Sequence, residues 1–440
     1  TGCISKMSFN RIAELIQRYR GLNAKRVFFK QLAENDNSKQ QIYLGGNFEV
    51  LSFFPYGTVT DYPEGKYPNF KAKIELYWVN EENVEQANGA QLILYPQYPE
   101  VRLSGFLQGC EIAPRHYLQP IPAANRKGID GRVLFFATTG DGKTLAHLAP
   151  SDSPLALEAI AIAQSSTDEP LFVELPLTPD LISSRELVLD ALRKIHKAGF
   201  HPSIRLNSDG VVLPYKARNG GGYTLEALLG IRPNSKAAPD FHGWEIKAFS
   251  SDRITLMTPE PNGGFYGSNG VEAFVRKYGR KVSGKDQLYF TGTHRHATLC
   301  ESTGLTLGLT GYDVESGKIT DVRGCIYLLD ANSNQAALWK FSHLLTHWNK
   351  KHAAAAYVRY ESNKIIPPQY RYRSPAFLGE HADFTRYLSA IATGDVIFDP
   401  GSKVDNASTK KSQVKARSQF RIHKKHLPVL YETFEEVSLD

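Results

Sequence analysis

The pattern of hydrophobic positions differs between the two parts of the chain. Up to about residue 165, short aromatic and β-branched runs are separated by Gly, Pro and Asn turns, after one amphipathic helix at 8–19. Short strands at regular spacing predict a barrel or a sandwich. The predicted strands are residues 27–30, 41–44, 70–79, 91–95 and 132–137.

Beyond residue 170 the apolar spacing becomes that of longer helices. Leucines between Leu187 and Leu192, together with Ile195, predict a helix at 183–198 that Gly199 ends. The remaining predicted elements are helices at 225–229 and 336–352 and strands at 243–249, 288–290 and 355–360. Helices and strands in this order favour one mixed central sheet, in an α+β or α/β fold.

Length and composition add a domain boundary and a class of partner. A chain of 440 residues is long for one domain, and the polar stretch 165–170 follows an Ala-rich helix at 155–163. We therefore predict domains at 1–165 and 170–440. The pI near 9.0 and the formal charge of +7 favour a polyanionic partner, although many soluble proteins are mildly basic.

Cysteine usage and hydropathy indicate the compartment. Four cysteines, Cys3, Cys110, Cys300 and Cys325, are scattered without a CxxC pair. This spacing disfavours a disulfide scaffold and a zinc ribbon, and predicts reduced core thiols. No stretch approaches the roughly twenty apolar residues of a membrane span, and the first residues lack a secretory core. We expect a cytoplasmic protein with no membrane partner.

The most informative chemistry lies at 240–247. In a strand at 243–249, Glu245 and Lys247 share one face because side chains alternate, and two residues of rise separate them by roughly 7 Å. Asp240 precedes the strand, directly after Pro239. Two carboxylates suit Mg²⁺, and a lysine can polarise water or stabilise a phosphate. The alternative is a solvated salt bridge on an ordinary strand.

A third carboxylate is close in sequence. Glu226 lies on the predicted helix at 225–229, which Gly230 and Pro233 end. The segment 224–249 resembles the PD-(D/E)xK nucleases, specifically the MvaI/BcnI restriction endonucleases, which are relatives of the mismatch-repair enzyme MutH. The resemblance runs from about residue 172 to the C-terminus. It implies that Asp240, Glu245 and Lys247 are the catalytic signature, and that Glu226 is the helix glutamate of the MutH-like branch.

The resemblance also implies an activity. Enzymes of this family cut double-stranded DNA at five-base-pair CC-N-GG sites, and we favour CCWGG here. They act as Mg²⁺-dependent monomers that cut one strand at a time. The runner-up enzyme is a MutH-like nickase that answers to a partner protein. From another class, the chain is a DNA-binding sensor module with a silent nuclease site.

The N-terminal part carries a second resemblance. Residues 29–44 are similar to the start of EcoRII-type effector-binding domains, which are B3-like pseudobarrels that grip DNA between two loop arms. A B3-like sensor followed by an MvaI-like nuclease implies a type IIE restriction enzyme, in which two copies of the DNA site act as effector and substrate. The alternative is a domain for folding or solubility with no role on DNA.

Three segments offer side chains for DNA. A loop after strand 288–290 carries two histidines and an arginine, residues 370–375 interleave arginines with aromatics, and 402–426 carries eight Lys or Arg against Asp405. Arginine reads guanine edges, whereas basic runs position phosphates. The alternatives are surface histidines on a turn and a solvated or disordered tail. The predicted contact residues are His294, Arg295, His296, Arg371, Arg373, Lys415, Arg417 and Arg421.

Two further motifs do not predict chemistry. His343 and His347 share a helix face, but Leu344 stands where a zincin needs glutamate, so we expect core packing or surface positions. Residues 140–144, Gly-Asp-Gly-Lys-Thr, end like a phosphate loop but lack its leading glycine, which predicts a hairpin turn.

Overall fold

The computed structural model describes residues 9–33, 40–120, 131–164, 172–177, 183–217, 219–232, 241–352, 354–363 and 365–440. Contacts divide the chain into two compact units. Unit 1 comprises Thr1–Thr60 and Asn69–Ser183, and unit 2 comprises Asp61–Pro68 and Ser184–Asp440. The predicted boundary at 165–170 lies outside the described residues. In the part that is described, no helix has the length and apolar character needed to cross a membrane.

The elements of the first 183 residues are mainly short strands, as the sequence predicts. They are α1 Ile12–Gly21, β1 Ala24–Leu32, β2 Gln41–Gly45, a 3₁₀ helix Phe48–Ser52, β3 Val59–Tyr62, β4 Asn69–Lys73, β5 Glu75–Val79, β6 Val84–Ala87, β7 Gln91–Tyr95, β8 Glu100–Ser104, α2 Arg115–Leu118, β9 Arg132–Thr139, β10 Lys143–Ala149, α3 Pro154–Gln164 and β11 Val173–Leu175.

These strands form two sheets. One has the order β11-β1-β9-β10-β5-β6, and the other has the order β2-β8-β7-β4-β3. Every residue of β9 is buried, which explains its unbroken hydrophobic run. An antiparallel hairpin joins β9 to β10 through Gly140–Gly142, with Gly142 at φ +94°. The predicted hairpin turn at 140–144 is therefore confirmed.

A buried histidine makes unit 1 sensitive to acid. His147 on β10 is 7% exposed, and its Nδ1 lies 2.9 Å from the carbonyl oxygen of Val79. Burial lowers the pKa of His147 to about 4. An unfolded histidine takes up its proton near pH 6.5, so folding stability falls as the pH drops from about 6.5 to 4.

We predict that His147 removes about 2 kcal/mol of unfolding free energy between about pH 7.5 and pH 5. Urea unfolding of the wild type and of His147→Asn at both pH values measures this, because an asparagine amide can replace the Nδ1 donor to Val79. The wild type should lose more stability than the variant. Equal losses in the two proteins would assign the acid sensitivity to other groups.

Unit 2 combines longer helices with many strands. The elements from residue 184 onward are α4 Ser184–Lys197, β12 Phe200–Pro202, β13 Ile204–Leu206, β14 Val212–Pro214, α5 Gly220–Leu228, β15 Glu245–Phe249, β16 Arg253–Met257, α6 Gly264–Tyr278, β17 Arg280–Lys281, β18 Gln287–Thr291, β19 Leu299–Cys300, β20 Leu305–Thr310, β21 Tyr312–Asp313, β22 Lys318–Ile319, β23 Cys325–Leu329, β24 Gln335–Lys340, α7 Phe341–His352, β25 Ala354–Ser362, β26 Gln369–Glu380, α8 Phe384–Ala392, β27 Val396–Phe398, β28 Gly401–Asp405, β29 Gln413–Lys415, β30 Phe420–His423, a 3₁₀ helix Lys424–Leu430 and β31 Thr433–Val437.

The central sheet of unit 2 has the order β12-β26-β25-β15, with β31 also paired to β26. Strands β15 and β25 are parallel, while β26 is antiparallel to β12, β25 and β31. A hydrophobic cluster that includes Leu189, Leu192, Trp244 and Ile246 packs α4 against one face of this sheet. The predicted mixed sheet is confirmed. The face of the sheet opposite this cluster is not covered by α4.

Three sequence predictions need correction or completion. The predicted helix 336–352 is a strand up to Lys340, because residues 337–340 pair antiparallel with β23 and this pairing overrides helix propensity. The basic segment 402–426 is folded into β28, β29, β30 and a 3₁₀ helix, so it is not a disordered tail. Cys110, Cys300 and Cys325 are buried thiols as predicted, and Cys3 lies outside the described residues.

Candidate active site

A tight turn starts the strand that carries the central residues. Phe241 and Trp244 exchange backbone hydrogen bonds of 3.0 and 2.9 Å, and both residues between them have positive φ, 48° at His242 and 85° at Gly243. A two-residue turn with positive φ at both positions has the same twist as the paired strands that it joins. Trp244 and Ile246 enter the hydrophobic cluster. The alternation therefore places Glu245 and Lys247 on the opposite face.

Glu245 and Lys247 form a buried ion pair. The Lys247 ammonium donates to Glu245 Oε1 at 2.9 Å, and the two side chains are only 15% and 5% exposed. A pair of this burial has little bulk water to screen it. The alternative of a solvated salt bridge is therefore wrong, because Glu245 is buried and most of the Lys247 side chain is shielded from solvent.

Glu226 approaches this pair from α5. The helix begins with Gly220, Gly221 and Gly222, and a Cβ on Gly221 would overlap the ring of Tyr360 on β25. The absent side chain lets the helix lie directly on the sheet, which is a structural reason for glycine here. Glu226 therefore lines the same cleft as Glu245 and Lys247. The cleft has a volume of about 530 Å³.

Two carboxylates in this cleft are suitable ligands for a hard divalent cation. Glu226 and Glu245 contribute carboxylate oxygens from a helix and from a strand, and carboxylate oxygen is the ligand that Mg²⁺ prefers. Among the described residues, no group of three or more His, Cys, Asp and Glu is arranged to hold a metal ion. Asp240 lies outside the described residues.

His347 is a cleft residue that the sequence did not assign to the site. It lines the cleft from α7, together with Arg253 and Tyr360. Its partner on the helix face, His343, instead bonds the carbonyl oxygen of Glu260 through Nε2 at 3.1 Å. The i, i+4 spacing was visible in the sequence, but only the packing of α7 against β25 separates their roles.

His294 is the clearest correction among the predicted DNA contacts. Its ring is 0% exposed, with Nδ1 3.2 Å from Phe398 O and Nε2 2.8 Å from Thr303 Oγ1. A base contact and a surface turn both require an exposed ring, so both interpretations are wrong for His294. It is a core histidine that ties its loop to β27.

The neighbours of His294 are more accessible. Arg295 is exposed, and His296 is half-buried with Nδ1 3.1 Å from Ala392 O. Arg371 is half-buried on β26, whereas Arg373 is exposed and pairs with Glu361 at 3.2 Å. An exposed ion pair of this kind contributes little to stability and can exchange for a phosphate or a base edge.

The basic segment 402–426 also contains both exposed side chains and side chains that are bonded within the fold. Lys415 and Arg417 are exposed. Arg421 instead donates from Nη1 to Asp399 Oδ2 and from Nη2 to the carbonyl oxygen of Arg253, both at 2.8 Å. These bonds brace β30 against β16 and the end of β27, so Arg421 has a structural role.

A comparison with models of protein families identifies one family. A model of the MvaI/BcnI restriction endonuclease family matches residues 189–431, more than half of the chain. Among solved structures, the restriction endonuclease MvaI in complex with its cognate DNA substrate is 22% identical, with a TM-score of 0.45, over 59% of this chain and 100% of that chain. MvaI in the absence of DNA is 21% identical, with a TM-score of 0.32 and the same coverage. A comparison with curated proteins found no match.

Proposed function

Because the chain belongs to the MvaI/BcnI restriction endonuclease family, which indicates a site-specific DNA endonuclease, we propose that it is a Mg²⁺-dependent type II restriction enzyme. The observation that carries this proposal is the cleft in unit 2 where Glu226, Glu245 and Lys247 meet. The catalytic domain is the predicted 170–440, and the substrate is double-stranded DNA.

The roles of the residues follow from their chemistry. Asp240 and Glu245 would hold the divalent cation, which would supply a Lewis acid for the developing charge on the phosphate, and Glu226 would support the site or a second ion. Lys247 is held by Glu245 at 2.9 Å, so its ammonium has a fixed position from which it can orient a water or contact a phosphate oxygen. Placement of this kind is preorganised electrostatic stabilisation, because the charge is in place before the reaction begins.

Hydrolysis requires a water in line with the bond that breaks. Water loses a proton and adds to phosphorus while one ester oxygen leaves and takes up a proton, and negative charge builds on the phosphate oxygens during this exchange. The partly buried Lys247 can stabilise that charge more strongly than a solvated lysine, because less water screens it. Glu245 fixes the direction of the Lys247 ammonium, and Glu226 contributes a second carboxylate to the cleft.

Incubation of supercoiled plasmid with the purified protein and Mg²⁺ tests the activity. Discrete linear fragments support a restriction enzyme, whereas nicked circles alone support the MutH-like nickase. Retardation of DNA without cutting supports the sensor module. Mapping fragment ends from an unmethylated genome then identifies the site, for which we propose the CC-N-GG class and favour CCWGG.

Sequence recognition gives a prediction for two exposed arginines. If Arg295 or Arg373 pairs with a guanine, its alanine variant should lose about 1 to 3 kcal/mol at one base position and relax selection there. A contact to phosphate should instead weaken binding to all sequences alike. Binding selections on randomised sites distinguish the two outcomes. Glu361→Ala is the matched control for Arg373, because it breaks the same ion pair and leaves the arginine in place.

The N-terminal domain, residues 1–165, is proposed to bind a second copy of the site as an effector. Its support is the similarity of residues 29–44 to EcoRII-type domains and the strand-rich pattern of unit 1. We also propose that the enzyme acts as a monomer, which must turn round on the DNA to cut the second strand.

A further inference from the structure

Two buried tyrosines from distant parts of the chain meet beside the Glu245 and Lys247 pair. Tyr357 on β25 is the register partner of Lys247, and Tyr431 directly follows the last 3₁₀ helix. Their side chains are 0% and 2% exposed, and their hydroxyl oxygens lie 2.6 Å apart. Register partners of parallel strands project to the same face, so Tyr357 lies on the face that carries Lys247.

Small residues make room for Tyr431 on this face. Ala355 is the register partner of Glu245, and Gly379 is the register partner of Ala355. The ring of Tyr431 packs on Gly379, where an added Cβ would lie 2.5 Å from Tyr431 Cδ2. The backbone after Tyr431 is fixed as well, because Glu432 donates to Glu380 O at 3.1 Å and β31 pairs with β26.

The hydroxyl pair lies within the electrostatic field of the proposed site. Burial raises the pKa of Tyr357 to about 12, with the Glu245 carboxylate adding to this effect and the Lys247 ammonium opposing it. Burial, Tyr357 and Glu245 hold the pKa of Tyr431 well above its usual value. Both hydroxyls therefore keep their protons near neutral pH. One of the two protons makes the bond between the hydroxyls.

We propose that Tyr357 and Tyr431 are positioning residues of the nuclease site. Their rings, held together by the bond between the hydroxyls, pack beside Lys247 on that face of the sheet and restrict the positions open to the Lys247 ammonium and, through it, to the Glu245 carboxylate. This inference rests on the proposed function. It gives the C-terminal segment a role in cleavage, because Tyr431 reaches the site only when that segment is docked on Gly379.

The test removes one oxygen atom at a time. Tyr357→Phe and Tyr431→Phe should each lower the single-turnover cleavage rate by about 3- to 10-fold, the loss expected when one hydrogen bond between neutral groups is removed. The dissociation constant of the DNA duplex, measured without Mg²⁺, should stay within about twofold, since both tyrosine side chains are buried. The double variant should fall within about threefold of the slower single variant, because either change breaks the same pair.

Gly379→Ala perturbs the pair without altering a hydroxyl. Its Cβ displaces the Tyr431 ring, so cleavage should slow to a similar extent. Tyr387→Phe is the matched control, because Tyr387 is also a fully buried tyrosine of unit 2 but is no partner of Glu245 or Lys247 in the central sheet. It should cut at the wild-type rate.

Each outcome bears on a different claim. Wild-type rates in both phenylalanine variants, alongside an inactive Lys247→Ala, would overturn the positioning role and leave the proposed function intact. Equal loss in Tyr387→Phe would also overturn it, since the effect would then be general packing. Wild-type cleavage by Lys247→Ala would instead remove the proposed active site itself. Melting temperatures of all variants show that the compared proteins are folded.

Discussion

Lys247→Ala is expected to lower the rate of DNA cleavage by about 100- to 1,000-fold or more, the loss seen when one preorganised donor is removed from a transition state. Lys247 lies in the cleft with Glu226, and its ammonium is fixed by Glu245 at 2.9 Å. Asp240→Ala should be equally inactive if Asp240 completes the set of carboxylates. Specific DNA binding should persist in both variants, because these residues act on the scissile phosphate rather than on base edges.

Two competing effects shape the design of this experiment. Removing Lys247 leaves the buried carboxylate of Glu245 without its cation, which can cost about 3 to 5 kcal/mol of stability. Lys247→Arg therefore accompanies the alanine variant, because it keeps the charge but places a planar guanidinium where a compact ammonium stood. It should fold normally and cut slowly. Removing Asp240 lifts repulsion of the phosphate, so binding without metal can become tighter.

Single-turnover cleavage and a binding assay on the same DNA measure the two effects separately. Lys318→Ala is the control, because Lys318 is an exposed lysine of the same unit on β22. It should cut at the wild-type rate. A folded Lys247→Ala that cuts as fast as the wild type would refute the assignment of the active site.

The local arrangement of Glu245 and Lys247 was predictable from sequence. Strand periodicity alone assigns Trp244 and Ile246 to one face and the two charged residues to the other, and the structure confirms both faces. Glu226 was predictable as a helix residue, and its convergence on the cleft depends on Gly221 packing against Tyr360. That contact joins residues far apart in the chain, so no local pattern reveals it.

Local patterns mislead where long-range contacts override them. Ala336–Trp339 has helix-forming residues but completes a sheet with β23. His294 stands in a polar loop sequence, yet its ring is enclosed by Phe290 and Phe398. Tyr431 has no local feature that links it to Glu245, because its position follows from docking on Gly379. Sequence patterns therefore locate the reactive strand but not the residues that other segments bring to it.

Deleting residues 1–165 is expected to remove the dependence of cleavage on a second copy of the DNA site. If unit 1 binds an effector copy of the DNA site, one chain has two DNA-binding surfaces, and binding at one raises the effective concentration of DNA at the other. The rates of the full chain on two-site and one-site plasmids should then differ by about tenfold or more, and a short duplex added in trans should change the one-site rate. The shortened chain should cut both plasmids equally, because Glu226, Glu245 and Lys247 all remain.

The deletion needs one structural control. It also removes Asp61–Pro68, which groups with unit 2, where Asp61 Oδ1 accepts a hydrogen bond from Ser342 Oγ at 3.0 Å. Ser342→Ala in the full chain removes the same bond and should keep its dependence on two sites. If the full chain cuts one-site and two-site plasmids at equal rates, and the isolated residues 1–165 bind no DNA, the domain serves folding or solubility instead. If cleavage by the shortened chain still depends on two DNA sites, the effector contact lies within the nuclease, since both DNA-binding surfaces would then lie beyond residue 165.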